Sequence, residues 1–299
     1  MELIAPNQGR VDKLLADALP QYSRAAIHKL FDMDLIKLNG EVVKPGHKVR
    51  EGAVIDADTS PLSQEQQVEV LPILYEDDNV IVIDKPVGII SHARGRYWYE
   101  PSVASFIRAY TLDILPDHKP KPEKVIPGEI GKIIAYERAG IVHRLDRATS
   151  GVMVCAKNDA TMKFLQKQFA DRKVEKRYIA VLEGIPENDE AIIDAPIERN
   201  PKKPSTFRVG PNGKLAQTQY KILKKGDKRC LVEFMPHTGR THQLRIHAEY
   251  IKTPIVGDTL YGKEADRLYL HAHTITLAIP VKGTVTFTST VPESFNEAL

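Results

Sequence analysis

The sequence predicts an α+β protein: a large domain built on a mixed, largely antiparallel sheet, behind a small N-terminal α/β module. Three observations carry this. After residue 69, short β-rich runs such as "VIVID" (80–84), "VMVCA" (152–156) and "CLVEFM" (230–235) outnumber the helical patterns. Strands that do not alternate with helices argue against a doubly wound parallel sheet. The first 58 residues hold two helical patterns and a hairpin signal, enough for a separate unit.

The elements follow in chain order. "VDKLLADAL" places Val11, Leu14, Leu15, Ala18 and Leu19 on one helical face. Ser23 is the candidate N-cap of a second helix, "RAAIHKLF". Asn39-Gly40, between "LIKL" and "EVV", reads as a type I′ turn, and a turn and short strand follow in "VKPGHKVREGAVIDA". This gives a module over 1–58, a polar linker over 59–68 containing "TSPLSQEQQ", and a large domain over 69–299. In that domain "GIIS" (88–91) and "YIAVLEG" (178–184) read as further strands, and "LYLHAHTITLAIP" with "GTVTFTST" as a terminal hairpin. Helices are expected around 101–110, 159–171 and 242–250, and a long surface loop over 111–138.

Composition narrows the function classes. No apolar stretch approaches the ~20 residues of a membrane helix, so no membrane association is expected. The N-terminus shows no secretion signal. Cys155 and Cys230 sit in apolar runs, as reduced buried thiols of a cytosolic, cytoplasmic protein do. Net charge is +3, but ten basic residues against the single acid Asp227 lie between Arg199 and Arg229. Such a cluster suits phosphate, and Lys202, Lys203 and Lys214 are its candidate phosphate contacts; a solvated Lys-rich hairpin is the alternative. The first 58 residues carry eight basic groups against nine acidic ones, no electrostatic footprint of their own.

Three segments concentrate polar chemistry beside apolar runs: "HRLDRATSG" (143–151), "EKRYIAVLEG" (175–184) and "HTGRTHQLRIHAEYIKTPIVGD" (237–258). Asp146 is one acid among His143, Arg144 and Arg147. If buried it needs a partner, and an arginine fork suits a carboxylate. A carboxylate so held is a nucleophile, a general base or a structural ion pair at a strand entry. His237, His242 and His247 recur at intervals of five, which does not gather them on one face, so no metal site is expected. Neither a Walker A sequence nor G-x-G-x-x-G occurs, so no bound nucleotide cofactor is implied.

"HRLDRATSG", "KRYIAVLEG" and "TGRTHQLRIHA" with "TPIVGDTLYG" resemble, in order, the motifs of RluA-type pseudouridine synthases, over about residues 70–290. Residues 9–58 are similar to the small RNA-binding domain shared with a ribosomal small-subunit protein. The resemblance implies a catalytic domain with an active-site cleft and roles within it. Asp146 matches the catalytic aspartate, Tyr178 the tyrosine against the target base, and Arg245 the arginine that pairs with that aspartate. Arg144 matches a position that displaces the target nucleotide. Departures are Arg147-Ala148 for Lys-Asp, His92-Ala93 for His-Pro, and a longer 111–138 segment. The implied protein is a monomeric isomerase that needs no cofactor and acts on RNA. Large-subunit ribosomal RNA is the first substrate expectation and transfer RNA the second. A non-catalytic RNA-binding or ribosome-assembly factor with the same fold is the competing reading.

Overall fold

The computed structural model describes residues 1–20, 22, 24–62, 68–92, 100–112 and 140–299. They fall into two compact units, the first drawn mainly from residues 1–62, the second from 69–92, 102–112 and 140–299.

The first unit runs β1 (Glu2–Ile4), β2 (Gly9–Arg10), α1 (Val11–Ala18), α2 (Arg24–Asp32), β3 (Ile36–Leu38), β4 (Glu41–Val42), β5 (Lys48–Val49) and β6 (Val54–Ala57). Four strands form one antiparallel sheet in the order β1-β6-β3-β4, and β2 pairs with β5. Helix α1 buries Val11, Leu14 and Leu15, as their spacing requires. The Asn39-Gly40 turn has φ of 51° and 85°, the positive pair that a type I′ hairpin demands. The N-cap expected at Ser23 lies outside the described residues.

The second unit comprises β7 (Ile73–Glu76), β8 (Val80–Lys85), α3 (Val103–Leu112), β9 (Ser150–Ala156), α4 (Asp159–Ala170) and β10 (Glu175–Glu183). It continues with β11 (Glu190–Asp194), β12 (Ile197–Arg199), β13 (Phe207–Val209), β14 (Gln217–Lys225) and β15 (Arg229–Pro236). It ends with α5 (Gln243–Tyr250), β16 (Leu270–Ile279), β17 (Gly283–Thr288) and α6 (Ser294–Glu297). The order β11-β14-β15-β10-β16-β9-β8-β7, with β17 added to β16, makes a nine-stranded sheet. Its pairings are antiparallel except β9 with β16.

That parallel contact sets the position of the polar segment ahead of β9. β9 is buried at every residue. Ser150 and Gly151 lie opposite His271 and Ala272, after which β16 turns to pair with β17 from Thr274 onward. Gly151 has φ of 117°, and a Cβ there would overlap the Ala272 carbonyl oxygen. Only glycine permits the approach. Helix α4 is capped by Asn158, which accepts from the Thr161 N–H at 2.8 Å. It is clamped to β16 by Gln168, whose amide exchanges hydrogen bonds of 2.8 and 2.9 Å with Ala278.

One expectation changes. "GIIS" is not a strand: Gly88 has φ of 91°, and Ile90 makes one bridge, to Ser102. The expected linker begins with a 3-10 turn at Ser60–Leu62; its residues 63–67 lie outside the described residues, as do 113–138 of the expected long loop, whose first two residues close α3.

Candidate active site

Asp146 sits on the loop entering β9, and that loop is tied down on both sides. The Ser91 hydroxyl donates to the Leu145 carbonyl at 2.7 Å and accepts from the Leu145 N–H at 3.0 Å. The Arg147 carbonyl accepts from Gly88 N–H at 2.9 Å. Lys85, fully buried at the end of β8, aims its ammonium at the carbonyls of Pro86 and Ile89, both at 2.8 Å, and of Arg147 at 3.4 Å. Burial pushes the Lys85 pKa down to about 7, and the Asp146 charge pulls against that shift. The Pro86 and Ile89 carbonyls are thus turned to Lys85 around Gly88, whose φ of 91° bends the chain within "GIIS".

Arg245, in the first turn of α5, reaches the same place from the other side. The expected pairing with Asp146 is present but long, Nη1 to Oδ2 at 3.8 Å. The fork of the guanidinium is committed elsewhere: Nε and Nη2 donate to the two oxygens of Asp258, at 2.8 and 2.6 Å. Asp258 is 0% exposed and also accepts from the N–H groups of Leu260 and Tyr261 at 3.0 and 3.1 Å. Gly257, with φ of 77°, lets its loop pass against the Arg267 carbonyl, where a Cβ would collide. Arg245 thus presents its remaining edge to Asp146, held by a second, buried acid.

His242 faces Asp146 as well, Nε2 to Oδ2 at 3.8 Å. It adopts φ of 56° as the N-cap residue of α5. Gln243 fixes that turn. Its side chain accepts from Thr238 Oγ1 (2.7 Å) and Arg240 N–H (3.0 Å) and donates to the Gln217 carbonyl (3.0 Å) and Thr218 Oγ1 (2.9 Å). His247 is absorbed by structure: one ring nitrogen meets Thr218 Oγ1 at 2.9 Å, the other the Ala195 carbonyl at 3.0 Å.

Tyr178, on β10, lines the same cleft with Arg144, Lys176 and Arg240. Burial and then the Asp146 charge push the Tyr178 pKa up, so it is a neutral phenol. Arg144 is exposed at the rim. The cleft therefore brings together Asp146, Tyr178, Arg245 and Arg144, and adds His242 and, behind Arg245, Asp258.

The basic stretch divides in two. Arg240 and Thr241 line both the cleft and a groove bounded by Arg199, Phe207 and Lys214. Lys202 and Lys203 follow on the adjoining turn, ordered by Asn200 Oδ1, which accepts from both of their N–H groups. These lysines and Lys214 are exposed and make no ion pair among the described residues. At the other end Lys225 pairs with Asp189 at 2.6 Å and Arg229 with Glu183 at 2.8 Å. Gln217 and Lys225 mark opposite ends of β14, about 26 Å apart at strand rise.

His143 differs from its sequence reading as one of several positive groups. Its ring stacks on Phe169 at 4.9 Å and its Nε2 accepts from the Val154 N–H at 3.0 Å. Burial, and then the Lys176 charge, push its pKa down to about 3. Below pH 6.5 the unfolded chain takes up a proton that the folded chain refuses, so stability falls as pH drops toward 3. By pH 4.5 this amounts to at most about 3 kcal/mol. Chemical denaturation of His143→Gln between pH 7 and 4.5 is expected to show a shallower loss than wild type; parallel curves would contradict a neutral His143.

Residues 79–250 match the family model described as RNA pseudouridylate synthase, and residues 9–55 match the S4 domain. An "Uncharacterized RNA pseudouridine synthase" of Aquifex aeolicus is 38% identical over 85% of this chain and 77% of that protein. The "Ribosomal large subunit pseudouridine synthase D" of Nitrosomonas europaea is 33% identical over 92% of this chain and 79% of its own length. Among solved structures, "Human RNA Pseudouridylate Synthase Domain Containing 4" superposes with a TM-score of 0.57 at 26% identity, covering 76% of this chain and 91% of that one. A cleft built on one exposed-edge carboxylate, with an S4 domain ahead of it, agrees with these likenesses, and the chain belongs to the RNA pseudouridylate synthase family.

Proposed function

We propose that the protein isomerises specific uridines of large-subunit ribosomal RNA, with Asp146 as the reacting carboxylate. The observation that carries this is the division of labour between two acids. Asp258 takes the Arg245 fork, and Asp146 is left on the cleft side with one oxygen facing Arg245 and His242 at 3.8 Å. An acid whose charge is supported yet whose oxygens are not consumed can attack C1′ of the ribose or assist a glycal-like route. Either way the N1–C1′ bond breaks, the uracil turns, C5–C1′ forms and the C5 proton leaves. The C5 proton passes to solvent and N1 takes one up, so the product is an isomer of the substrate and nothing is oxidised or reduced.

Tyr178 offers a neutral aromatic face to an extruded base, and Arg144 at the rim fills the space it vacates. Arg199, Lys202, Lys203 and Lys214 suit flanking phosphates, beside the groove that shares Arg240 and Thr241 with the cleft. The N-terminal unit contributes affinity rather than chemistry. Relatives named for the ribosomal large subunit support that RNA over transfer RNA.

The test uses total RNA labelled with [5-³H]uridine in a strain lacking the gene. Wild type releases tritium to water, and mapping of the new pseudouridines places them in large-subunit ribosomal RNA. No release rejects the isomerase reading; sites in transfer RNA alone reject the substrate. Replacing Lys202, Lys203 and Lys214 with Gln is expected to flatten log Kd against log salt by about 0.7–0.9 per lost phosphate contact. An unchanged slope returns these lysines to a role in solubility.

A further inference from the structure

The cleft holds a hydrogen-bond chain that the reaction outlined above leaves unused. It starts on β13, where the Phe207 N–H donates to the Tyr261 hydroxyl oxygen at 3.1 Å. The same hydroxyl lies 3.0 Å from His242 Nδ1, and with one lone pair engaged its proton is free to point there. A ring that accepts at Nδ1 carries its proton on Nε2, and Nε2 faces Asp146 Oδ2 at 3.8 Å. The ring is held edge-on to Phe207 and Tyr261, at centroid distances of 6.1 and 5.7 Å. Its backbone is fixed by the left-handed turn at the head of α5. The ring of His242 therefore has one direction, and a Tyr261 hydroxyl that donates to Nδ1 gives it one tautomer.

We propose that His242 is a positioning residue that directs Nε2–H at the Asp146 carboxylate, with Tyr261 selecting the tautomer and the Phe207 backbone anchoring Tyr261. The inference rests on the reading of Asp146 as the reacting group. Neutral imidazole is the form this geometry needs. Burial lowers the His242 pKa, Arg245 and Arg144 add to that, and Asp146 and Asp258 oppose it. The 3.8 Å separation is the open form of a contact that shortens when substrate fills the cleft, as catalytic hydrogen bonds commonly do. Phe207 lies on the strand beside Arg199, whose guanidinium stands 5.5 Å from the Phe207 ring, so the anchor of the chain adjoins the basic groove. The hairpin β12–β13 is thereby linked to the orientation of Asp146 through three hydrogen-bonding groups.

Two measurements test this. In the first, ¹⁵N-histidine NMR of the full chain without RNA is expected to show His242 protonated on Nε2 and bare on Nδ1. Tyr261→Phe, which removes the donor, evens the two tautomers. In the second, single-turnover tritium release is followed on total RNA labelled with [5-³H]uridine in the gene-deleted strain. His242→Leu is expected to slow release by about 10- to 100-fold, the usual range for a hydrogen bond to a charged group, with RNA affinity unchanged. His242→Gln keeps an N–H donor and restores the larger part of the rate. A wild-type rate in His242→Leu, a Gln variant no faster than Leu, or a proton on Nδ1 in wild type each overturns the proposal. The NMR arm decides even where the Leu variant fails to fold. Asp146→Asn separates the two levels. If it is inactive while His242→Leu is fully active, only the positioning role is lost. If Asp146→Asn releases label at the wild-type rate, the reading of Asp146 itself is lost.

Discussion

A folded Asp146→Asn protein will bind RNA with wild-type affinity and release no measurable tritium from uridine C5. The expected loss in single-turnover rate is about 10³-fold or more, the scale on which removal of a reacting side chain acts. Stability is expected to change little. Arg245 keeps both hydrogen bonds to Asp258 when Asp146 loses its charge, and Asp146 itself is partly open to solvent. The family resemblance suggests the reverse, that Arg245 loses its ionic partner, because it pairs Arg245 with Asp146 and assigns no role to Asp258. Thermal denaturation beside the activity measurement checks both halves. A large drop in Tm with retained tritium release would make Asp146 a structural acid.

Asp258→Asn is expected to do the opposite first. The amide keeps an oxygen for the N–H groups of Leu260 and Tyr261, but it offers Arg245 no charge and cannot accept at both positions. Arg245 is only 6% exposed, so its charge is left inside the protein without its fork. Breaking such a pair costs about 3–5 kcal/mol. The free-energy change is read from urea unfolding. The activity of the surviving folded fraction should also fall, because a guanidinium released from Asp258 closes the 3.8 Å gap and occupies the oxygen of Asp146. A cost below about 1 kcal/mol would show that the fork is not the anchor of this site.

Much of the frame was legible because it depends on local pattern. The apolar "VMVCA" became a strand buried at every residue, and the helices expected near 101–110, 159–171 and 242–250 are α3, α4 and α5. Asn39-Gly40 made its turn for the backbone reason given by its two residues. β14 escaped because "QTQYKILKK" buries only Thr218 and Tyr220 and reads as a charged segment. "GIIS" misled because its hydrophobicity is real, yet its neighbouring carbonyls serve Lys85, a demand visible only once Lys85 is known to be buried.

Within the site, residue types were legible and partners were not. An arginine fork on a carboxylate follows from chemistry, but the choice between Asp146 and Asp258 depends on how the 251–258 loop returns to α5. His143 illustrates the same limit. Its motif suggests charge, whereas Phe169 and the Val154 N–H make it a neutral acceptor. The pattern makes His242 the first residue of the helix expected over 242–250, whereas it is the N-cap, with φ of 56°.

The Arg245–Asp258 fork also fixes what does not have to move during turnover. Had the guanidinium gripped Asp146 directly, each catalytic cycle would begin by dissolving that grip and end by rebuilding it. In the proposed reaction Arg245, held by a second acid instead, acts on Asp146 as a stationary field, in place before RNA arrives. The reorganisation that a polar solvent would undergo around a reacting carboxylate has here been completed once, when the chain folded.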